Sequence, residues 1–198
     1  MSKDNFEHFK AMQKVSWELF APLEVVTTIP AANLISFSEL KRSDNVFDVG
    51  CGTGVAAITA ARLGATVSGI DLSPALIEHA RKNASIANLS IDFREGDVEA
   101  LPYEDSTFDV VLSQFGHMFA PRPQVAIEEM LRVLKPGGTI AFSTWPQDLY
   151  VGRLFELVAK YSPPPAGVSA PSLWGNTNFI REQLNDAVLG LTFHQGLM

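Results

Sequence analysis

One cysteine, Cys51, stands in a chain of 198 residues, which excludes an internal disulfide framework and any chemistry that needs several thiols. Cations are scarce as well. Fifteen Lys and Arg are spread along the chain against 22 Asp and Glu, a formal net charge of −7, so there is no clustered basic footprint and no nucleic-acid partner is expected. The four histidines, His8, His79, His117 and His194, form no i, i+4 pair and no carboxylate cluster at ligand spacing, so no metal is expected either. The opening Met1-Ser2-Lys3-Asp4-Asn5 is too polar to begin a signal peptide or a membrane span, and no repeat or low-complexity run occurs. With hydrophobic residues at 46%, the remaining expectation is one cytoplasmic domain with a sizeable core.

Against that background one segment is dense in signals: Val46-Phe47-Asp48-Val49-Gly50-Cys51-Gly52-Thr53-Gly54, an apolar strand running into a glycine turn. The helix pattern that follows, Val55 to Leu63, presents unpaired N–H groups at its start, and a side chain in the turn would block a ligand's approach to the main chain. The spacing is G-x-G-x-G, not the G-x-G-x-x-G of a dinucleotide turn. Asp48, two residues before the first glycine, would repel a pyrophosphate and attract an ammonium group. A ligand carrying an amino acid fits better than NAD.

Strand patterns near 46–50, 66–71, 90–94, 108–114 and 139–145 alternate with helix patterns near 54–63, 73–87 and 121–134. Such alternation predicts a Rossmann-like α/β fold, a doubly wound and mainly parallel sheet with helices on both faces. Ser73-Pro74 reads as a helix start, with Ser73 as N-cap. Residues 1–44 form a helical extension, with Phe6, Phe9, Met12, Trp17 and Phe20 at helical spacing up to Pro22 and a second helix near 29–40. Residues 45–146 are the ligand-binding core, and 147–198 are an incomplete C-terminal part of the single domain, with helices near 148–161 and 176–187 and a last strand at 188–193.

Five segments in order carry a resemblance to a known family: the glycine segment, Thr66 to Ser73, Asp92 to Val98, Phe108 to Ser113, and Leu131 to Thr139. They resemble the successive motifs of class I S-adenosylmethionine-dependent methyltransferases. The segment after the fourth strand, Ser113 to Pro121, resembles the branch that includes ubiquinone and menaquinone biosynthesis enzymes and many small-molecule methyltransferases. The resemblance implies S-adenosylmethionine as cofactor, S-adenosylhomocysteine as product, and in-line methyl transfer to a small organic acceptor. It assigns Asp48 and the Gly50, Cys51, Gly52 and Gly54 turn to the methionine and ribose portion, Asp71 to the ribose hydroxyls, Asp97 and Val98 to the adenine edge, and Leu72 and Val98 to its faces. Gln114 and Phe115 are further cofactor contacts, and His117 is the candidate base.

Other readings of the same residues stay open: Asp71 as a helix cap, Asp97 as a turn residue, Asp48 as an acid satisfied by backbone N–H groups, His117 as a loop histidine. Trp17, Trp145 and Trp174, with Phe20 and Met118, are candidates for an apolar acceptor pocket, against ordinary core packing. In the family the sheet usually has seven strands, so the C-terminal sheet edge reads as incomplete here, and an open edge at 188–198 invites pairing with a second copy of the chain. A cofactor-binding protein without catalysis, and more distantly an NAD-dependent oxidoreductase, are the alternatives in function.

Overall fold

A computed structural model describes residues 3–184 and 187–196. Five strands, β1 (Asn45–Val49), β2 (Thr66–Asp71), β3 (Asp92–Glu95), β4 (Phe108–Gln114) and β5 (Leu134–Ser143), form one sheet in the order β3-β2-β1-β4-β5. Every pairing is parallel. Parallel strands buried on both faces read as continuous apolar runs, and in β1 all four residues from Val46 to Val49 are buried.

Period two then divides each strand between two cores. Val46, Val67, Val110 and Leu112 pack with Leu34, Ile35, Ile58 and Ile77 on one face. Phe47, Val49, Ile70 and Val111 pack with Ile127, Met130, Trp174 and Leu184 on the other. The helices that supply these residues are α2 (Glu24–Phe37), α3 (Val55–Arg62) and α4 (Pro74–Ile86) on the first face, and α5 (Pro123–Val133) and α7 (Thr177–Leu184) on the second. The central position of β1 matters most. Its neighbours β2 and β4 lie on opposite sides, so the crossovers diverge there and leave a crevice beyond the carboxyl ends of the strands.

The N-terminal extension is more continuous than its pattern suggested. Helix α1 (Lys3–Ser16) passes through a 3-10 turn, Trp17–Leu23, directly into α2, so Pro22 marks a change of helix type and α2 starts five residues before the expected 29. The stretch Phe6–Phe37 has, by length and composition alone, enough apolar character to cross a membrane. In the fold, however, its Lys10 is buried in ion pairs with the domain, and Trp17 and Phe20 line the crevice. Ser73 sits at the N-cap of α4, but its hydroxyl caps nothing; its N–H instead donates to Asp71 Oδ1 at 2.9 Å.

The C-terminal part departs from expectation. Helix α6 (Tyr150–Tyr161) and α7 form, the latter matching 177–184 of the expected helix while residues 185 and 186 lie outside the described chain. Residues 188–193 are irregular, not a strand. Val188 and Leu191 pack against the core cluster that contains Ile180 and Leu184, no strand forms at 188–193, and residues 197 and 198 of the expected edge lie outside the described chain. Val188 and Leu191 pack against that core while Leu189 and Phe193 are exposed, a division that periodicity cannot distinguish from a strand face.

Candidate active site

The turn after β1 is shaped by two glycines that touch. Gly50 has φ +65°, and a Cβ there would lie 2.7 Å from the Cα of Gly116, in the loop after β4. Only glycine at both positions lets the two strand ends close to this distance. Beneath the turn, Asp48 lies on the α3 face of β1, and its Oδ2 accepts the N–H of Ala57 at 3.0 Å. Oδ1 has no partner. Burial pushes the Asp48 carboxyl up to about 7, against the opposing pull of the Ala57 N–H and with a small push from the Asp71 charge.

At the end of β2, Asp71 accepts two backbone N–H groups, Gly52 on Oδ2 and Ser73 on Oδ1, both at 2.9 Å. It therefore holds the glycine turn and starts α4 at once. Burial raises its pKa while these N–H groups hold it down. After β3, Asp97 Oδ1 accepts the N–H of Glu99 at 2.9 Å and Oδ2 accepts from Lys10 at 2.6 Å. Three carboxylates thus stand at the ends of three adjacent strands.

All three line one cavity of about 620 Å³, large enough for a drug-sized ligand. Gly50, Cys51, Gly52, Leu72, Val98, Gln114 and Phe115 line it too. The Cys51 thiol is pushed well up by burial and by the neighbouring Asp48 and Asp71, so it stays protonated and is a poor nucleophile. Gly54 does not line the cavity. Its φ of +86° turns the chain into α3, where a Cβ would meet Phe93 at 2.9 Å, so its role is structural.

His117 is also corrected. The 3-10 turn His117–Phe119 directs its ring away from the cavity, onto Phe142 and Trp174 with centroids 4.5 Å away in each case. Neither ring nitrogen has a partner among the described residues. Burial pushes its pKa down to about 3, so it is neutral, and no acceptor in the cavity touches it. Trp174 and Met118 are likewise core residues.

The far half of the cavity is aromatic. Trp17 meets Phe119 edge-on at 4.5 Å and Phe20 at 4.8 Å, Phe119 meets Phe155 at 5.8 Å, and Phe115 stacks on Trp145. Phe115 has φ +64°, an uncommon conformation for a bulky residue, which places backbone strain at the end of β4. Gln114 Nε2 donates to the carbonyl of Thr27 at 2.6 Å, and Gln13 Nε2 donates to that of Phe119 at 3.1 Å, so the N-terminal helices close over the opening.

Sequence reasoning passed over Lys10, Gln13, Thr27 and Phe155. The one available signal was two lysines, Lys10 and Lys14, set into the aromatic stripe of α1.

Comparison with known proteins agrees with this geometry. Residues 47–142 match a methyltransferase domain family. The chain is 36% identical to an uncharacterised protein of Mycobacterium bovis over 92% of its own length, and it spans 64% of the length of that relative. It is 29% identical to a ubiquinone biosynthesis O-methyltransferase of Actinobacillus pleuropneumoniae, over 81% of this chain and 72% of the other. Among solved structures, a SAM-dependent methyltransferase from Methanosarcina mazei superposes with a TM-score of 0.56 and 29% identity, covering 63% of this chain and 64% of that one.

Proposed function

The chain belongs to the class I S-adenosylmethionine-dependent methyltransferase family, and we propose that it transfers a methyl group from that cofactor to a small, apolar organic acceptor. The observation that carries this reading is one cavity with two chemically distinct halves, three strand-end carboxylates facing an aromatic wall.

The carboxylate half fits the cofactor. Asp48 Oδ1 is buried without a partner, and the methionine ammonium group would supply one. Asp71 keeps unused lone pairs for two ribose hydroxyls, and Asp97 keeps some for the adenine amino group. Leu72 and Val98 would cover the ring faces, and Gln114 and Phe115 would border the reacting end. When bound, S-adenosylmethionine supplies a methyl group already activated on a sulfonium, open to in-line displacement by an acceptor lone pair.

What remains for the chain is placement. Trp17, Phe20, Phe119, Trp145 and Phe155 carry no proton acceptor, so this half orients the acceptor and excludes water. Holding two reactants at near-attack distance is worth as much as ~7–11 kcal/mol of barrier, ample for a cofactor that is already electrophilic.

Titration calorimetry with S-adenosylhomocysteine, followed by transfer of labelled methyl to a panel of apolar phenols, amines and thiols, tests the reading. Absence of S-adenosylhomocysteine binding sinks it. Binding with no transfer to any of the panel favours the non-catalytic alternative.

A further inference from the structure

The face that α1 turns to the domain follows from spacing. Phe6, Lys10, Gln13, Lys14 and Trp17 fall at i, i+4, i+7, i+8 and i+11, a single stripe. Of the described α1 side chains only Lys10 is buried, the reverse of an ordinary amphipathic helix. The ties along this stripe are polar. Lys10 Nζ lies 2.6 Å from Asp97 Oδ2 and 2.5 Å from Glu99 Oε2, and Lys14 pairs with Glu95. Glu99 is gripped from its other side by Arg122, whose Nη2 lies 2.7 Å from Oε2 and whose backbone N–H donates to Oε1 at 2.6 Å. The Arg122 guanidinium in turn lies over the Phe6 ring, 5.4 Å from its centroid.

These ties converge on the carboxylate placed at the adenine end of the cavity. Lys10 on one oxygen and the Glu99 N–H on the other fix the plane of Asp97, and each oxygen keeps a lone pair for a further donor. Because α1 buries little apolar surface of its own, its docking depends on this carboxylate pair. Without Lys10, Asp97 and the fully buried Glu99 would face each other as like charges.

We infer that Lys10 is the positioning residue for Asp97, and that α1 is a strap whose docking is coupled to occupation of the adenine end of the cavity. The inference rests on the cofactor reading above. A ligand amino group on Asp97 stabilises the carboxylate geometry that Lys10 requires, and a docked strap closes the adenine end to water. Each therefore favours the other, and linkage makes the effect reciprocal.

Amide hydrogen exchange and stopped-flow dissociation on the whole chain test it. In the wild type, adenosine or S-adenosylhomocysteine slows exchange across residues 6–16 by about fivefold or more, whereas homocysteine alone leaves it unchanged. In Lys10→Met that slowing disappears and S-adenosylhomocysteine dissociates about tenfold faster, and Lys10→Arg restores most of the wild-type behaviour. A purely structural lysine would lower thermal stability without moving the dissociation rate. The coupling is overturned if the wild type binds S-adenosylhomocysteine with no change in α1 exchange, or if Lys10→Met dissociates it within about twofold of the wild-type rate. Should Lys10→Met not fold, the wild-type adenosine experiment still decides. A wild type that binds no S-adenosylhomocysteine removes the cofactor reading itself, and the inference with it.

Discussion

Phe115 lies flat on Trp145, ring centroids 4.1 Å apart and planes 10° from parallel, with the Phe115 backbone held in the left-handed region. The stack joins the end of β4 to the segment after β5 and forms a wall where the cofactor and acceptor halves meet.

Trp145→Ala removes that wall from the acceptor side. The expected result is an acceptor KM raised about tenfold, the equivalent of ~1.4 kcal/mol, with S-adenosylhomocysteine affinity changed by no more than about threefold. Steady-state kinetics beside calorimetry makes the comparison, and a loss confined to cofactor affinity would place Trp145 on the other side of the methyl group.

Asp71→Ala tests a residue with one observed task, holding the glycine turn, and one proposed task, binding the ribose. Loss of hydrogen bonds to the ribose should weaken S-adenosylhomocysteine binding by about 1.5–3 kcal/mol. The Gly52 and Ser73 N–H groups lose their acceptor as well, so chemical denaturation should show stability falling by about 1–3 kcal/mol. Affinity reduced at full stability would separate the two tasks and argue against the turn-holding role.

Asp48 gives cofactor binding a pH dependence. Its carboxyl stands near 7 in the free protein, and an ammonium ligand needs it ionised. Affinity for S-adenosylhomocysteine should be level above pH 7 and fall below it, by as much as about tenfold per unit once the carboxyl must give up a proton to bind. Stability runs the other way. A folded-state pKa raised above the unfolded value gives stability that is complete below the unfolded pKa of about 4 and is lost as pH rises through 7. Asp48→Asn should therefore bind the ligand weakly at every pH yet lose the decline that runs from about pH 4 to 7, gaining on the order of 1 kcal/mol at pH 8. Titrations and melts across pH 5.5–8.5 follow both signs.

His117→Leu should leave the pH profile of kcat/KM unchanged, because the ring does not reach the cavity. Its linkage shows in stability instead. A histidine lowered from 6.5 to about 3 leaves the unfolded chain binding more protons between those values, so stability falls as pH drops below 6.5. The leucine variant should lose that acid sensitivity, and melts at pH 7 and pH 5 read it. A kinetic profile that moves with the substitution would restore the base assignment.

The strands were legible because parallel strands buried on two faces leave apolar runs, unbroken in Val110 to Leu112 and interrupted only by Asp48 in Val46 to Val49. Asp48 and Asp71 were legible for the complementary reason, a carboxylate within or at the end of an apolar strand having no core to join, and Asp97 through its place just after the third strand. The direction of a side chain within a short turn was not. His117 follows a strand end as a base would, yet one 3-10 turn aims it into the core. Lys10 was illegible because its partners are 87 and 89 positions away, and local periodicity cannot represent a charge buried by tertiary docking. The strand expected at Val188 to Phe193 failed through the same blindness, Val188 and Leu191 packing on the core from an irregular segment without a strand neighbour.

The two halves of the cavity have different structural owners. Its carboxylates stand at the ends of β1 and β2 and just past β3, whereas most of its aromatic residues come from the N-terminal helices, the 3-10 turn after β4 and α6, all outside the sheet. On the proposed reading, a substitution at Trp17, Phe20 or Phe155 would change what is recognised while leaving the strand pairing intact. The fold thus separates inheritance of the donor from invention of the recipient, and a lineage can explore new recipients one wall residue at a time.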